Sequence, residues 1–173
     1  MKYLTNLLIV VIFILSMSTI SYSQFSDTVT VGEGGNFQTL NELIDSLNVF
    51  GLSDNTTVNI ISDLELENPI IINQWYEYGL GGNYFLTIKP SGGVRTIQGN
   101  FSANGIIEMN NVHRVIIDGG TDDGERNFII KNNAITGANC AIRLIGTDGE
   151  GCSDITIKNC EISGGNRSNT NSF

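Results

Sequence analysis

Basic residues are scarce in this chain. Nine lysines and arginines stand against eighteen aspartates and glutamates in 173 residues. Lys2 is the only charged residue among the first 23, so without that stretch eight basic residues face eighteen acids, a formal charge of −10. Nucleic acid and anionic lipid both call for clustered Lys and Arg, so neither is expected as a partner. An anionic polysaccharide would need a local basic patch or bound cations to offset this field. Histidine occurs once, at His113. Cysteine occurs three times, at Cys140, Cys152 and Cys160, with no C-x-x-C pair and no Cys/His cluster. That spacing does not support structural zinc. An odd count permits one disulfide and one free thiol. A Cys140–Cys152 bridge is one arrangement, three small buried thiols the simpler one, and the pairing stays open. Long apolar runs are missing too. Leu7 to Leu15 is unbroken but only nine residues long, about half of the ~20 that a spanning helix needs.

That run has a different meaning. Lys2 precedes it and small or polar residues follow, ending in Ser21-Tyr22-Ser23-Gln24. A basic start, a short apolar core and small residues at the end make a secretory signal peptide, cut after Ser23. The expected location is therefore secreted, extracellular or cell-surface, with no transmembrane segment once the signal is cleaved.

One helix signal stands in the rest. Phe37, Leu40, Leu43, Ile44 and Leu47 fall on one face at helical spacing. Thr39-Leu40-Asn41-Glu42 fits a capping box, and Gly51 can close the helix in a left-handed conformation. The spacing predicts a helix over about residues 39–50, preceded by an alternating strand over 27–31. After residue 55 the pattern changes to runs of three to five residues rich in Ile and Val: 58–61, 70–72, 86–88, 95–97, 106–109, 115–117, 128–130, 141–145 and 155–157. β-branched residues suit a strand, and the Gly, Asn, Asp and Ser between the runs suit tight corners. Taking every third run as one face gives steps of about 30 to 35 residues, with Arg95, Phe128 and Glu161 equivalent and Ile106 equivalent to Ala141. Short strands at a fixed period mark a stacked solenoid. Corner asparagines are expected to stack between turns. The antiparallel sandwich is the competing architecture, but no Asn-Gly or Asp-Gly pair cleanly joins two long alternating strands. The fold expected is all-β, a right-handed parallel β-helix whose N-terminal amphipathic helix caps its open end. Its organisation would be 1–23 signal peptide, 24–55 strand and capping helix, 56–173 rungs.

The stretch Val31-Gly32-Glu33-Gly34-Gly35-Asn36-Phe37-Gln38-Thr39-Leu40-Asn41-Glu42-Leu43-Ile44 resembles the opening of pectin methylesterases. Runs such as Val115-Ile116-Ile117-Asp118-Gly119-Gly120 and Phe128-Ile129-Ile130-Lys131-Asn132-Asn133 look like rungs of the pectin-lyase-like right-handed β-helix superfamily. The likeness covers about residues 27–165 and implies fold more than activity, because that superfamily also holds non-catalytic surface proteins. The esterase Gly-x-x-Asp-Phe block and the polygalacturonase motifs are not matched in this sequence. Asp122-Asp123 is an isolated dipeptide, and His113 is followed by Arg114 rather than set between glycines. Ile155–Ser163 still reads as a rung and a polar stretch without a second cap follows. The expectation is the N-terminal portion of a longer surface protein.

Candidate sites are few. Asp118, Asp122, Asp123 and Glu125 gather four carboxylates in eight residues. Calcium takes six to eight oxygen ligands, but this is not the EF-hand spacing, and a solvated loop accounts for it; no cofactor is expected otherwise. Trp75, Tyr76 and Tyr78, with Glu77 between them, form an aromatic excursion. Their flat faces could stack on sugar rings, or the loop could pack back on the solenoid. Glu108 and Asp118 lie in different rungs, and glycosidic chemistry would need them about 5–10 Å apart. His113 has general-base chemistry at what reads as a surface position. The reading is a secreted β-helix module, structural, adhesive or glycan-binding, with polysaccharide or other surface proteins as partners. The alternative is the N-terminal part of a polysaccharide-active lyase, hydrolase or esterase, with no catalytic residue assigned.

Overall fold

The computed structural model describes residues 25–79, 81–120, 125–147 and 149–164. The expected signal peptide and the polar stretch from 165 onward lie outside these. Among the described residues twelve strands run β1 (Phe25–Val31), β2 (Leu52–Ile60), β3 (Leu64–Leu66), β4 (Ile70–Asn73), β5 (Leu86–Pro90), β6 (Arg95–Gly99), β7 (Ile107–Asn110), β8 (His113–Asp118), β9 (Phe128–Asn132), β10 (Ile142–Ile145), β11 (Ser153–Lys158) and β12 (Cys160–Ser163), with one helix, α1 (Leu40–Phe50), after β1. Every third strand from β2 onward is hydrogen-bonded to the last. The sheets have the orders β1-β2-β5-β8-β11, β3-β6-β9-β12 and β4-β7-β10, and every pairing is parallel. The chain is a parallel β-helix, as the loose repeat predicts.

Register explains why Ile and Val dominate. Val58, Ile88, Ile117 and Ile157 are stacked partners in one sheet. Leu64, Ile97, Ile130 and Ile162 are stacked in the second, and Ile70, Ile107 and Ile142 in the third. Within the first three turns these inward residues are almost wholly buried in a single cluster. Each such side chain contributes roughly 1.5–3 kcal/mol by leaving water. A strand that slipped by one residue would turn its aliphatics outward, so stacking fixes the register. One expected equivalence is corrected on this basis. Phe128 partners Cys160, and Glu161 lies opposite Ile129 instead. Glu161 cannot take the inward place without burying its charge. The step is near 33 residues in the second sheet but reaches 40 between Ile117 and Ile157 in the first, because loops lengthen the third turn.

The helix forms where its cap is written. Thr39 accepts a hydrogen bond from the Glu42 N–H while the Glu42 carboxylate accepts from the Thr39 N–H, which satisfies two otherwise free donors. Leu40, Leu43, Ile44 and Leu47 are buried in the same cluster as the first turn, and α1 packs on β4 and β1. It therefore covers apolar core at the N-terminal end. Phe37 lies outside the helix and bridges to Val31, its ring 5.7 Å from that of Phe25. Gly51 ends the helix at φ 65°, ψ −168°, its N–H on the Leu47 carbonyl. That is not the left-handed helical conformation expected there, but it too favours glycine. Among the described residues no helix is long and apolar enough to cross a membrane.

Corners are held by amides. Asn110 Nδ2 donates to Asn73 Oδ1 at 3.4 Å across one turn, and Asn133 Nδ2 to Gln98 Oε1 at 3.3 Å across another. The ladder at Asn110 stops there, since its next partner is Ile145, and Asn110 Oδ1 is buried without a hydrogen-bond partner. Asn132 does most. Its side chain is 1% exposed. Nδ2 donates to the carbonyls of Phe101, Asn104 and Cys140, and Oδ1 accepts from the N–H groups of Phe101 and Ala134. One amide thus satisfies five backbone groups where the chain leaves the second sheet. Asn132→Ala is expected to lower stability by on the order of 3 kcal/mol, since buried donors and acceptors lose their partners, read as a lower urea midpoint with unchanged slope.

Candidate functional site

One outer corner, where the third sheet hands over to the first, gathers His113 with a set of amide and hydroxyl side chains. Asn73 and Asn110 end β4 and β7, Asn111 and His113 follow Asn110, and Thr147 and Glu150 lie in the loop before β11. With Gln74 and Ile145 these residues line an open groove of about 520 Å³. Rungs are stitched together along it. Thr147 N–H donates to Asn111 Oδ1 at 2.9 Å while Asn111 Nδ2 donates to Thr147 Oγ1 at 2.7 Å. His113 N–H donates to Gln74 Oε1 at 2.9 Å.

The aromatic loop starts beside this groove. Leu52 N–H donates to the Tyr76 carbonyl and Tyr78 N–H to the Leu52 carbonyl, both at 2.8 Å. The segment is thereby tied to the sheet ahead of β5. The structure divides the three aromatics. Trp75 is 4% exposed and belongs to the core cluster, so its ring faces are packed; Tyr76 and Tyr78 are 71% and 40% exposed. Glu77 folds inward and holds the loop. Its carboxylate accepts from the N–H groups of Asn83 and Tyr84 and lies 2.6 Å from the Arg114 guanidinium. Burial pushes the Glu77 carboxyl upward. The Asn83 N–H, the Arg114 guanidinium and the Tyr84 N–H together outweigh it and hold the group below the usual carboxylate range.

Arg114 reaches Glu77 from an unusual backbone. It has φ 64°, and Asp154, one rung on, has φ 54°. Left-handed non-glycine residues are uncommon and cost on the order of 1 kcal/mol each. They flank the paired residues His113 and Ser153 in the same row of β8 and β11. His113 Nδ1 lies 2.7 Å from Ser153 Oγ, and Ser153 Oγ donates to Asp154 Oδ2 at 3.2 Å. The carboxylate sits on the serine and not on the histidine, which is the reverse of the order that activates a serine nucleophile. The serine proton is committed to Asp154, so the three form a surface hydrogen-bond chain.

The other carboxylates are engaged elsewhere. Glu108, in β7, is nearly buried against Arg143 at 2.7 Å and accepts from the Gly105 N–H. Asp118 ends β8 in a different sheet, beside Lys158 at 3.1 Å, with bonds from Asn159 Nδ2 and the Gly120 N–H. Burial raises the Asp118 carboxyl, but Asn159, Gly120 and then Lys158 bring it below its ordinary value. Each acid thus has its own cation, and the structure does not join them as a pair. Asp122 and Asp123 of the acidic loop lie outside the described residues. Among the described residues no cluster of His, Cys, Asp and Glu has metal-ligand proximity. Cys140, Cys152 and Cys160 are free and partly buried. Burial above all, with the Asp118 charge, pushes the Cys160 thiol up against a bond from the Gly119 backbone, which lowers its thiolate fraction.

Reasoning from sequence found the tyrosines and missed Gln74, Asn111, Arg114, Thr147 and Ser153. The recurrence of Asn and Ser just before strands was the available signal. Comparison with known protein families, curated proteins and solved structures finds no match to this chain.

The single tryptophan reports on this loop. Glu77 is depressed, so its contribution is present above the unfolded carboxyl range near pH ~4.3 and is lost as pH falls through the lower folded value. Trp75 emission is expected to shift to the red on acidification below that range before global unfolding. In Glu77→Gln the shift is expected already at neutral pH, with no acid transition of its own.

Proposed function

We propose that this chain is a secreted β-helix module that binds carbohydrate on the outer corner between the third and first sheets, serving a structural or adhesive role within a larger extracellular protein. One observation carries the reading. Two exposed tyrosines, Tyr76 and Tyr78, stand on a loop tied down by the Leu52 backbone and by Glu77–Arg114, and that loop leads on from Gln74, which lines a groove with Asn73, Asn110, Asn111 and Thr147. Rigid aromatic faces lose little entropy on stacking against a sugar ring. Amide and hydroxyl side chains both donate and accept, as sugar hydroxyls require. The excess of acid favours a neutral glycan over an anionic one. The parallel β-helix and the opening over residues 31–44 support placing the chain with the pectin-lyase-like superfamily. The nine-residue apolar run after Lys2 supports export.

Affinity electrophoresis in gels cast with neutral polysaccharides and with polygalacturonate tests the proposal. Retention by a neutral polysaccharide is expected. Tyr76→Ala and Tyr78→Ala should each weaken it about fivefold, the equivalent of ~1 kcal/mol per aromatic contact, with unchanged circular dichroism. Retention only by polygalacturonate, or retention indifferent to both substitutions, would defeat the reading.

A further inference from the structure

Next to the helix, two of the three sheets are covered and the second is not. β1 lies on β2 in the first sheet, and α1 packs on β4 of the third. Between β1 and α1 the chain does not run along β3. It curls back instead: Gly32 N–H donates to the Phe37 carbonyl, Phe37 N–H donates to the Thr30 carbonyl, and Phe37 bridges Val31. β3 therefore pairs with β6 on one side and faces α1 across an open cleft of about 920 Å³ on the other. Bonds between the walls close both ends of the cleft. Glu33 N–H donates to Ser62 Oγ at 3.0 Å, and Asn41 Nδ2 donates to the Pro69 carbonyl at 3.3 Å. Leu64 and Leu66 of β3 form an apolar floor with Ile44 and Ile71. Five exposed carboxylates, Glu33, Asp45, Asp63, Glu65 and Glu67, rim it, and among the described residues no Lys or Arg lines it. Asp63 accepts from the Thr96 N–H and Glu65 from Gln98 Nε2. The carboxylates of Glu33, Asp45 and Glu67 meet no cation among the described residues.

We propose that this cleft binds an extended, basic segment of another protein, which adds to β3 as the outermost strand of the second sheet. Every second residue of an edge strand keeps its N–H and C=O free for such a partner. The register rule of the interior extends to the added strand. Its inward side chains stand on Leu64 and Leu66, as Ile97 and Gly99 do from the β6 side, so alternate positions call for aliphatic residues. The residue between them faces outward beside Glu65 and calls for Lys or Arg. Opposite charges on neighbouring strands are favourable and like charges are not. β3 offers only three residues, so the backbone ladder is short and the carboxylates must contribute as well. The same charges select against acidic segments. A polyamine would meet the carboxylates but leave the edge of β3 and the apolar floor without a partner.

Fluorescence anisotropy of labelled peptides mixed with the chain is the test. A peptide of about seven residues, alternating lysine and valine, spans β3 and its flanks at ~3.3 Å per residue. It is expected to bind, and to bind more weakly as salt screens the carboxylates. Asp45→Asn combined with Glu67→Gln, both at exposed positions, should raise the dissociation constant about tenfold. N-methyl groups on the peptide separate strand addition from charge alone, since they remove backbone donors and keep every ammonium. Methylation of the amides that face β3, either all those of the lysines or all those of the valines, should abolish binding, and methylation of the other set should not. Amide hydrogen exchange in Leu64–Leu66 should slow when the peptide is bound. No binding overturns the inference. So does equal binding by an alternating glutamate–valine peptide, by both methylated peptides, or by the doubly substituted chain.

Discussion

The structure depends on one constraint: each inward aliphatic side chain must sit directly on its counterpart in the next turn. The interior of a three-sided solenoid is narrow, and the inward side chains of its three sheets share one apolar cluster that each rung covers for the next. Val58, Ile88 and Ile117 are buried because each is covered above and below. Ile157, which among the described residues has cover on one side only, is partly buried. Parallel pairing supplies the backbone ladder and the apolar stack supplies most of the gain in free energy. Neither works without the other, since a slip of one residue would expose the stack.

Corners are where this constraint is most difficult to meet. The chain must turn sharply three times per rung without leaving buried N–H and C=O groups unpaired. Asn132 answers this with five hydrogen bonds from one buried amide. Left-handed Asn111 and Asn159 turn the chain at others. Gly119 shows how little room is left, since a β-carbon there would fall 2.0 Å from the Asn159 carbonyl oxygen of the next rung. The outer corner with Tyr76, Tyr78 and the amide groove grows from the same need. Gln74, Asn111 and Thr147 stitch rungs together, and the loop held by Glu77 and Arg114 takes up chain that does not fit the stack.

Much of this was legible in the sequence. Alternating isoleucines around Asn and Gly give the parallel stack, and Thr39 with Glu42 gives the helix start to within a residue. β3 and β12 were not separable as strands, because Leu64-Glu65-Leu66 and Cys160-Glu161-Ile162 carry only two inward residues each. Such runs are too short for periodicity to register. The equivalence of Phe128 with Cys160 was hidden for a related reason, since a cysteine does not stand out as an inward residue. The site was legible in part. Aromatics at 75–78 were evident, but which of them faces water depends on Glu77 folding back to Arg114, 37 residues away. That contact arises only when rungs stack, and no local pattern announces it.

The parallel stack itself is open to a direct measurement. Thr28, Thr57, Thr87, Ile116 and Thr156 occupy one row of the first sheet. Spin labels at Thr28 and Thr156, in a chain whose three cysteines are replaced by serine and diluted with unlabelled protein, are separated by four strand spacings. Pulsed electron resonance should give a narrow distribution centred near 19 Å, widened only by the label arms. A broad distribution, or a separation near twice that value, would place residues 28 and 156 in different layers and contradict the solenoid.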